Sequence, residues 1–118
     1  MLGITRSLCQ SLPTSHGIRV NAICPSITRT PLAAAHILPL FEAAGIEINS
    51  PRDIAEKISG LLCDSKMNGK VLYVQGGKAY DIEVGLQRTM PEWLGPEISE
   101  VNRKVGEQAK KLNSPMEG

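Results

Sequence analysis

Aromatic residues are nearly missing from this chain: one Phe, one Trp and two Tyr among 118 residues. Any core must therefore be aliphatic. An excess of charge of one sign is also missing. The 13 basic and 12 acidic residues leave a net charge of +1, which gives no electrostatic case for nucleic acid or an anionic membrane as partner. No apolar run approaches the ~20 residues that a membrane-spanning helix needs. The first stretch lacks the layout of a secretory leader, because Arg6 and Gln10 interrupt it. A cytoplasmic protein is the expectation. There is no CxxC; Cys9, Cys24 and Cys63 are far apart and odd in number. This favours reduced thiols acting as small buried hydrophobes over a disulfide framework.

What remains is an ordinary globular composition. Apolar residues make up 42%, too many for a disordered chain and enough for one modest core. Ile4, Leu8 and Leu12 recur at helical spacing, which predicts a helix over 1–12, ended by Pro13. IRVNAIC (18–24) alternates and predicts a strand. LAAAHILPLFEAAG suggests short helical pieces broken by Pro39 and Gly45. Ser50, Pro51 and Asp53 form a helix start, with Ser50 as N-cap and Asp53 at the third position. The helix runs over 51–63 with Ile54, Ile58, Leu61 and Leu62 as its buried stripe. The second strand, 70–75, holds the run VLYV, apolar on both faces. Such runs suit a parallel sheet covered by helices, and Gly76-Gly77 close it. Residues 1–80 thus read as an α/β unit and 81–118 as an extension. Within the extension, Ile98, Val101, Val105, Ala109 and Leu112 mark an amphipathic helix, packed on its own body or on a partner. Its acids come early and its bases late, matching the helix dipole.

Four segments, LGITRSL, GIRVNAICPSITRTPL, SPRDIAEKISGLL and NGKVLYVQGG, occur in this order. Together they resemble the C-terminal half of the short-chain dehydrogenases/reductases, over roughly residues 2–80. The ending GGKAYDIEVGL…MPEWLG looks like a fungal subgroup often found in secondary metabolism. The resemblance implies the C-terminal half of a doubly wound, Rossmann-type parallel sheet and hydride transfer between NAD or NADP and an alcohol or carbonyl. It also implies a cofactor-facing loop, which reads Pro25-Ser26-Ile27-Thr28-Arg29-Thr30 here. In the family, the backbone at the position of Thr28 meets the nicotinamide carboxamide, and the hydroxyl at the position of Thr30 bonds the same group or a phosphate. Ser26 stands where the family has Gly, which removes the freedom to adopt positive φ there. Residues 32–49 match the substrate-covering loop, an apolar lid. The family uses no histidine at the place of His36, and His16 falls in a solvated turn. Arg19 and Asn21 match strand residues with structural roles. Nothing in the sequence near Cys24 would activate a thiolate.

The family's Gly-rich pyrophosphate turn, its ribose-reading residue, its catalytic Ser and its Tyr-x-x-x-Lys pair are not in this sequence. Tyr73 is followed four residues later by Gly77, and Tyr80 by Val84, so neither supplies the pair; Tyr73 reads as core. LGITRSL normally follows the family's Lys, which places Met1 just downstream of the catalytic residues. Two functional readings follow. One is a truncated family oxidoreductase, or a gene model missing its 5′ part, inactive as this chain alone. The other is a non-catalytic interaction module that pairs with an intact family homologue. A homo-oligomer, or a hetero-oligomer with such a homologue, is the expected partner arrangement. In isolation the sheet is expected to expose VLYV and the Ile18–Val20–Ala22 face.

Overall fold

The VLYV run becomes the centre of a small sheet. The computed structural model describes residues 2–33 and 35–113; Met1, Ala34 and residues 114–118, which include the ends of the expected first helix and of the extension, lie outside them. The elements are α1 (Leu2–His16), β1 (Ala22–Pro25), α2 (Ile37–Ala43), α3 (Pro51–Cys63), β2 (Val71–Gln75), β3 (Lys78–Asp81), α4 (Ile82–Leu94) and α5 (Pro96–Asn113). The strands lie in the order β1-β2-β3. β1 pairs parallel with β2, Ala22 opposite Val71 and Pro25 opposite Val74. This is the expected parallel, adjacent pair of a partial Rossmann-like α/β fold, with a C-terminal helix. Val71 and Val74 are fully buried, one on each face of the central strand.

The third strand is not foreseen from the pattern. Gly76-Gly77 do more than close β2: they turn the chain into the antiparallel strand β3. Both glycines have positive φ, 54° and 75°, the requirement of the tight two-residue hairpin. A Cβ on Gly76 would also stand 2.6 Å from Glu47 Cβ. β3 crosses residue 80, and Asp81 accepts a bond from Lys70 Nζ at 3.0 Å. α4 then packs on β2, and Arg6 of α1 binds the Glu83 carboxylate through Nε and Nη2 at 2.9 and 2.7 Å.

Three expected boundaries move, each for a stated reason. α1 does not stop at Pro13 but continues to His16, so His16 is helical, although exposed. Proline at position 13 leaves the Cys9 carbonyl without its helical donor. The Asn68 side chain donates to that carbonyl at 2.8 Å. The face of α1 turned inward is centred on Thr5 and Cys9; Ile4 and Leu8 are exposed. β1 is shorter than 18–24. Residues 19–21 are held by one backbone bond, Gly69 N–H to Val20 O at 2.8 Å, and by side chains: Asn68 Oδ1 accepts from Val20 N–H, and Asn21 bonds both Met67 O and Lys70 N–H, at 2.9–3.0 Å. The Arg19 guanidinium donates to the carbonyls of Leu61, Leu62, Asp64 and Met67 at 2.8–2.9 Å. Arg19 thereby caps the C-terminal end of α3 with positive charge where the helix dipole is negative. In the lid segment, Pro39 sits in the first turn of α2, where no helical bond is lost. Gly45 does end that helix: its N–H and that of Ile46 return to Glu42 O and Phe41 O, both at 3.0 Å.

Burial is thin. Among the described residues, only Leu61, Val71 and Val74 are buried apolar side chains. The radius of gyration is 17.9 Å, against about 13.5 Å for a compact domain of this length. The expected stripe of α3 is only partly covered, because α3 packs on β1 at the sheet edge and overhangs it. Leu61 is buried, whereas Ile58 and Leu62 are exposed. Cys63 is exposed too, and Cys9 and Cys24 are half-buried, so the thiols are free but not all interior. Burial and the nearby Glu83 push the Cys9 thiol up, away from thiolate character.

The start of α3 follows the sequence. The Ser50 hydroxyl accepts from Asp53 N–H at 3.2 Å, and Asp53 Oδ2 accepts from Ser50 N–H at 2.7 Å. The bond from Ser50 N–H, then the Ser50 hydroxyl beside the carboxylate, holds the Asp53 carboxyl below its ordinary range. Ser50→Ala is expected to lower stability by about 1 kcal/mol, measured by urea denaturation at pH 7. A depressed native pKa stabilises above the unfolded value, and that share is lost as pH falls through the native value. The penalty of Asp53→Asn, measured the same way, is therefore expected to shrink on acidification through that window.

Candidate functional site

The segment after β1 begins as strand and becomes a shaped loop. Pro25 ends the strand, and Ser26 N–H prolongs the ladder to Val74 O at 2.9 Å. No described non-glycine residue has positive φ, so Ser26 fits here without the freedom of glycine. Thr28 then forms one isolated parallel bridge with Asn49. Its bonds come from the neighbours of Thr28: Asn49 N–H donates to Ile27 O at 3.0 Å, and Arg29 N–H donates to Asn49 O at 2.8 Å. In a parallel bridge the central residue's own N–H and C=O point to the other side. Neither group of Thr28 finds a hydrogen-bond partner among the described residues. The Thr28 hydroxyl is used within the loop, donating to Ser26 O at 3.0 Å.

Thr30 lies two residues on, half-buried, and its carbonyl accepts from Ala33 N–H at 3.0 Å. Its hydroxyl makes no hydrogen bond among the described residues. The structure thus places Pro25, Thr28 and Thr30 on one loop at the C-terminal end of β1. Among the described residues, the backbone N–H and C=O of Thr28 and the backbone N–H and hydroxyl of Thr30 have no hydrogen-bond partner there.

Asn49 holds this loop in place. It is fully buried. Its Nδ2 donates to Val74 O at 2.9 Å, with a longer 3.4 Å contact to Ser26 O, and its Oδ1 accepts from Gly77 N–H at 2.9 Å. One carboxamide therefore joins the loop, the end of β2 and the hairpin turn. Sequence reading missed it. A single Asn before the Ser50-Pro51 helix start looks like any polar loop residue, because burial is not written in its type.

The segment expected as a lid follows the loop in the chain. Leu32, before α2, is 95% exposed and Leu40, in α2, 67%, so the segment presents apolar side chains that nothing described covers; Ala34 lies outside the described residues. Arg29 and Glu42 form an ion pair that ties α2 to the loop. His36 precedes α2, exposed and without a side-chain cap. Tyr73 is not core: it is 39% exposed, and its hydroxyl donates to Gln75 Oε1 at 3.0 Å.

Truncating Asn49 orphans Gly77 N–H, whereas Val74 O keeps its bond from Ser26 N–H, and a buried unsatisfied group costs roughly 1–3 kcal/mol. Asn49→Ala is therefore expected to lower stability by roughly 1–3 kcal/mol in urea denaturation. Amide exchange at Gly77 and Arg29 is expected to accelerate ahead of exchange at Val71.

No family model matches the chain. A 3alpha-hydroxysteroid dehydrogenase of Mediterraneibacter gnavus is 38% identical over 81 residues, covering 63% of this chain and 32% of that protein. The chain thus spans about a third of the length of the curated relative it matches, and at the coarse level it is similar to a dehydrogenase of the short-chain type.

Proposed function

We propose that this chain contributes the nicotinamide-facing side and the lid of a short-chain-type oxidoreductase that uses NAD or NADP. The single observation that carries the reading is the free backbone pair of Thr28. A carboxamide has one acceptor oxygen and one donor NH2, so it needs a donor and an acceptor side by side. Thr28 offers both from one residue whose geometry Asn49 fixes. The Thr30 hydroxyl adds a third contact to the same group or to a phosphate, and Pro25 shapes the turn that leads there. The cofactor, when bound, supplies the hydride chemistry. The residues of this chain bind and orient the nicotinamide, and the exposed leucines of the α2 segment keep water from the reacting faces.

The substrate class in this reading is a secondary alcohol or its ketone on an apolar scaffold. The name of the bacterial relative supports it, as do the leucines of the lid. A place in fungal secondary metabolism and a cytoplasmic location belong to the same reading; the first rests on the ending GGKAYDIEVGL…MPEWLG and the second on three free cysteines. Among the described residues, no helix is long and apolar enough to cross a membrane.

A second reading has its own observation. β1 is an edge strand, and beside it an open cleft is lined by Arg19, Ile23, Ile58 and Leu62. An unpaired edge next to apolar side chains fits an added strand and a covering helix. This favours pairing of the chain with a family homologue that holds the Gly-rich turn and the Tyr-x-x-x-Lys pair.

One experiment tests both. The chain alone is expected to give no turnover with NAD(H) or NADP(H) and 3-hydroxysteroid or 3-ketosteroid probes. Adding the N-terminal part of the bacterial relative is expected to produce turnover. In that mixture Thr30→Val should raise the KM for the cofactor roughly 2- to 10-fold, the loss of one neutral hydrogen bond, with kcat little changed. Turnover by the chain alone, or a cofactor KM indifferent to Thr30→Val, would overturn the assignment.

A further inference from the structure

The extension carries an apolar stripe that its own body does not cover. Helix α5 packs against α4 and α1. The residues it turns inward are Ser99, Gly106 and Ala109, all half-buried. Ile98, Val101, Val105 and Leu112 are instead 56%, 55%, 60% and 86% exposed. The amphipathic pattern read from the sequence is present, yet most of its apolar face looks outward. These four residues follow 3-4-7 spacing and form a straight seam along a helix of 18 residues, about 27 Å long.

The charges beside the seam say what covers it. Glu97, Lys104 and Lys111 recur every seven residues along one flank. Two copies laid antiparallel and centred near residues 104–105 bring Ile98 of one beside Leu112 of the other. Glu97 of each copy then meets Lys111 of its mate, twice by symmetry. At the centre the two Lys104 side chains approach each other, but each already faces Glu100 of its own helix at 3.8 Å. In a parallel pair this flank would face the mate's opposite flank, which holds Asn102 and Ala109, and neither Glu97 nor Lys111 would find a counter-charge. A membrane surface fits less well, because this helix has no Trp or Phe and nearly balanced charge.

We propose that the exposed seam of α5 binds a second copy of this chain as an antiparallel, two-fold symmetric helix pair. The seam lies on a different element from the β1 edge, so the dimer and the pairing in the second reading above are independent. A pair of 18-residue helices falls at the small end of specific interfaces, so association is expected at micromolar concentration.

Sedimentation of the full chain over roughly 1–300 µM (order-of-magnitude range for a small interface) tests this. A monomer–dimer equilibrium is expected. Val105→Glu should abolish it across that range while the far-ultraviolet circular dichroism stays unchanged, because the side chain is exposed. Glu97→Lys or Lys111→Glu alone should weaken dimerisation roughly fivefold, the scale of exposed ion pairs. The double reversal should restore it, which only antiparallel pairing allows. A monomer throughout, self-association that survives Val105→Glu, or failure of the double reversal to restore binding would each overturn the proposal.

Discussion

The buried carboxamide of Asn49 ties together the parts of this molecule that matter for function. A parallel pair only four residues long has few ladder bonds, and parallel pairing is slightly weaker per residue than antiparallel. Asn49 adds bonds at the end where the ladder stops. Its main chain fixes the loop through Ile27 and Arg29, and its side chain fixes β2 and the hairpin through Val74 and Gly77. Because those bonds occupy one side of Thr28, the other side is left with a free donor and acceptor. A constraint on the fold thus becomes the geometry of the site.

The opposite end of the same strand pair is held by a comparable device. Arg19 gathers four carbonyls where α3 ends, while Asn21 and Asn68 add side-chain bonds to the backbone bond that Val20 O accepts from Gly69 N–H. The sheet is therefore pinned at both ends by polar side chains bonded to backbone. That suits a structure with little buried apolar surface, where hydrophobic burial supplies less of the stability. Besides Leu32 and Leu40, it leaves apolar groups uncovered at two separate faces. One is the β1 edge with Ile58 and Leu62; the other is the seam of α5. They ask for different partners, an added strand for the first and a helix for the second.

Local chemistry made several elements legible in the sequence alone. Ser50, Pro51 and Asp53 determined the start of α3 through bonds made within four residues. VLYV determined the central strand, since a run apolar on both faces has few other uses. Gly45 determined the end of α2. The parallel pairing and the loop Pro25–Thr30 followed from the order of four segments and their likeness to a family, not from any one residue.

Tertiary structure decided the rest, because it rests on contacts far apart in sequence. Pro13 looked like a stop, yet α1 continues because Asn68, 59 positions from Cys9, bonds the carbonyl that proline left free. Ile4, Leu8, Ile58 and Leu62 had the spacing of buried residues, but spacing names a face and not what lies against it. The outward seam of α5 is the same case: amphipathic periodicity fixed which residues align, and only the packing of Ser99, Gly106 and Ala109 against the body decided that the apolar side faces out. Asn49 is the plainest example. Its residue type permits a solvated loop or a buried hub equally, and the choice was made by Val74, Gly77 and the loop after β1 converging on it.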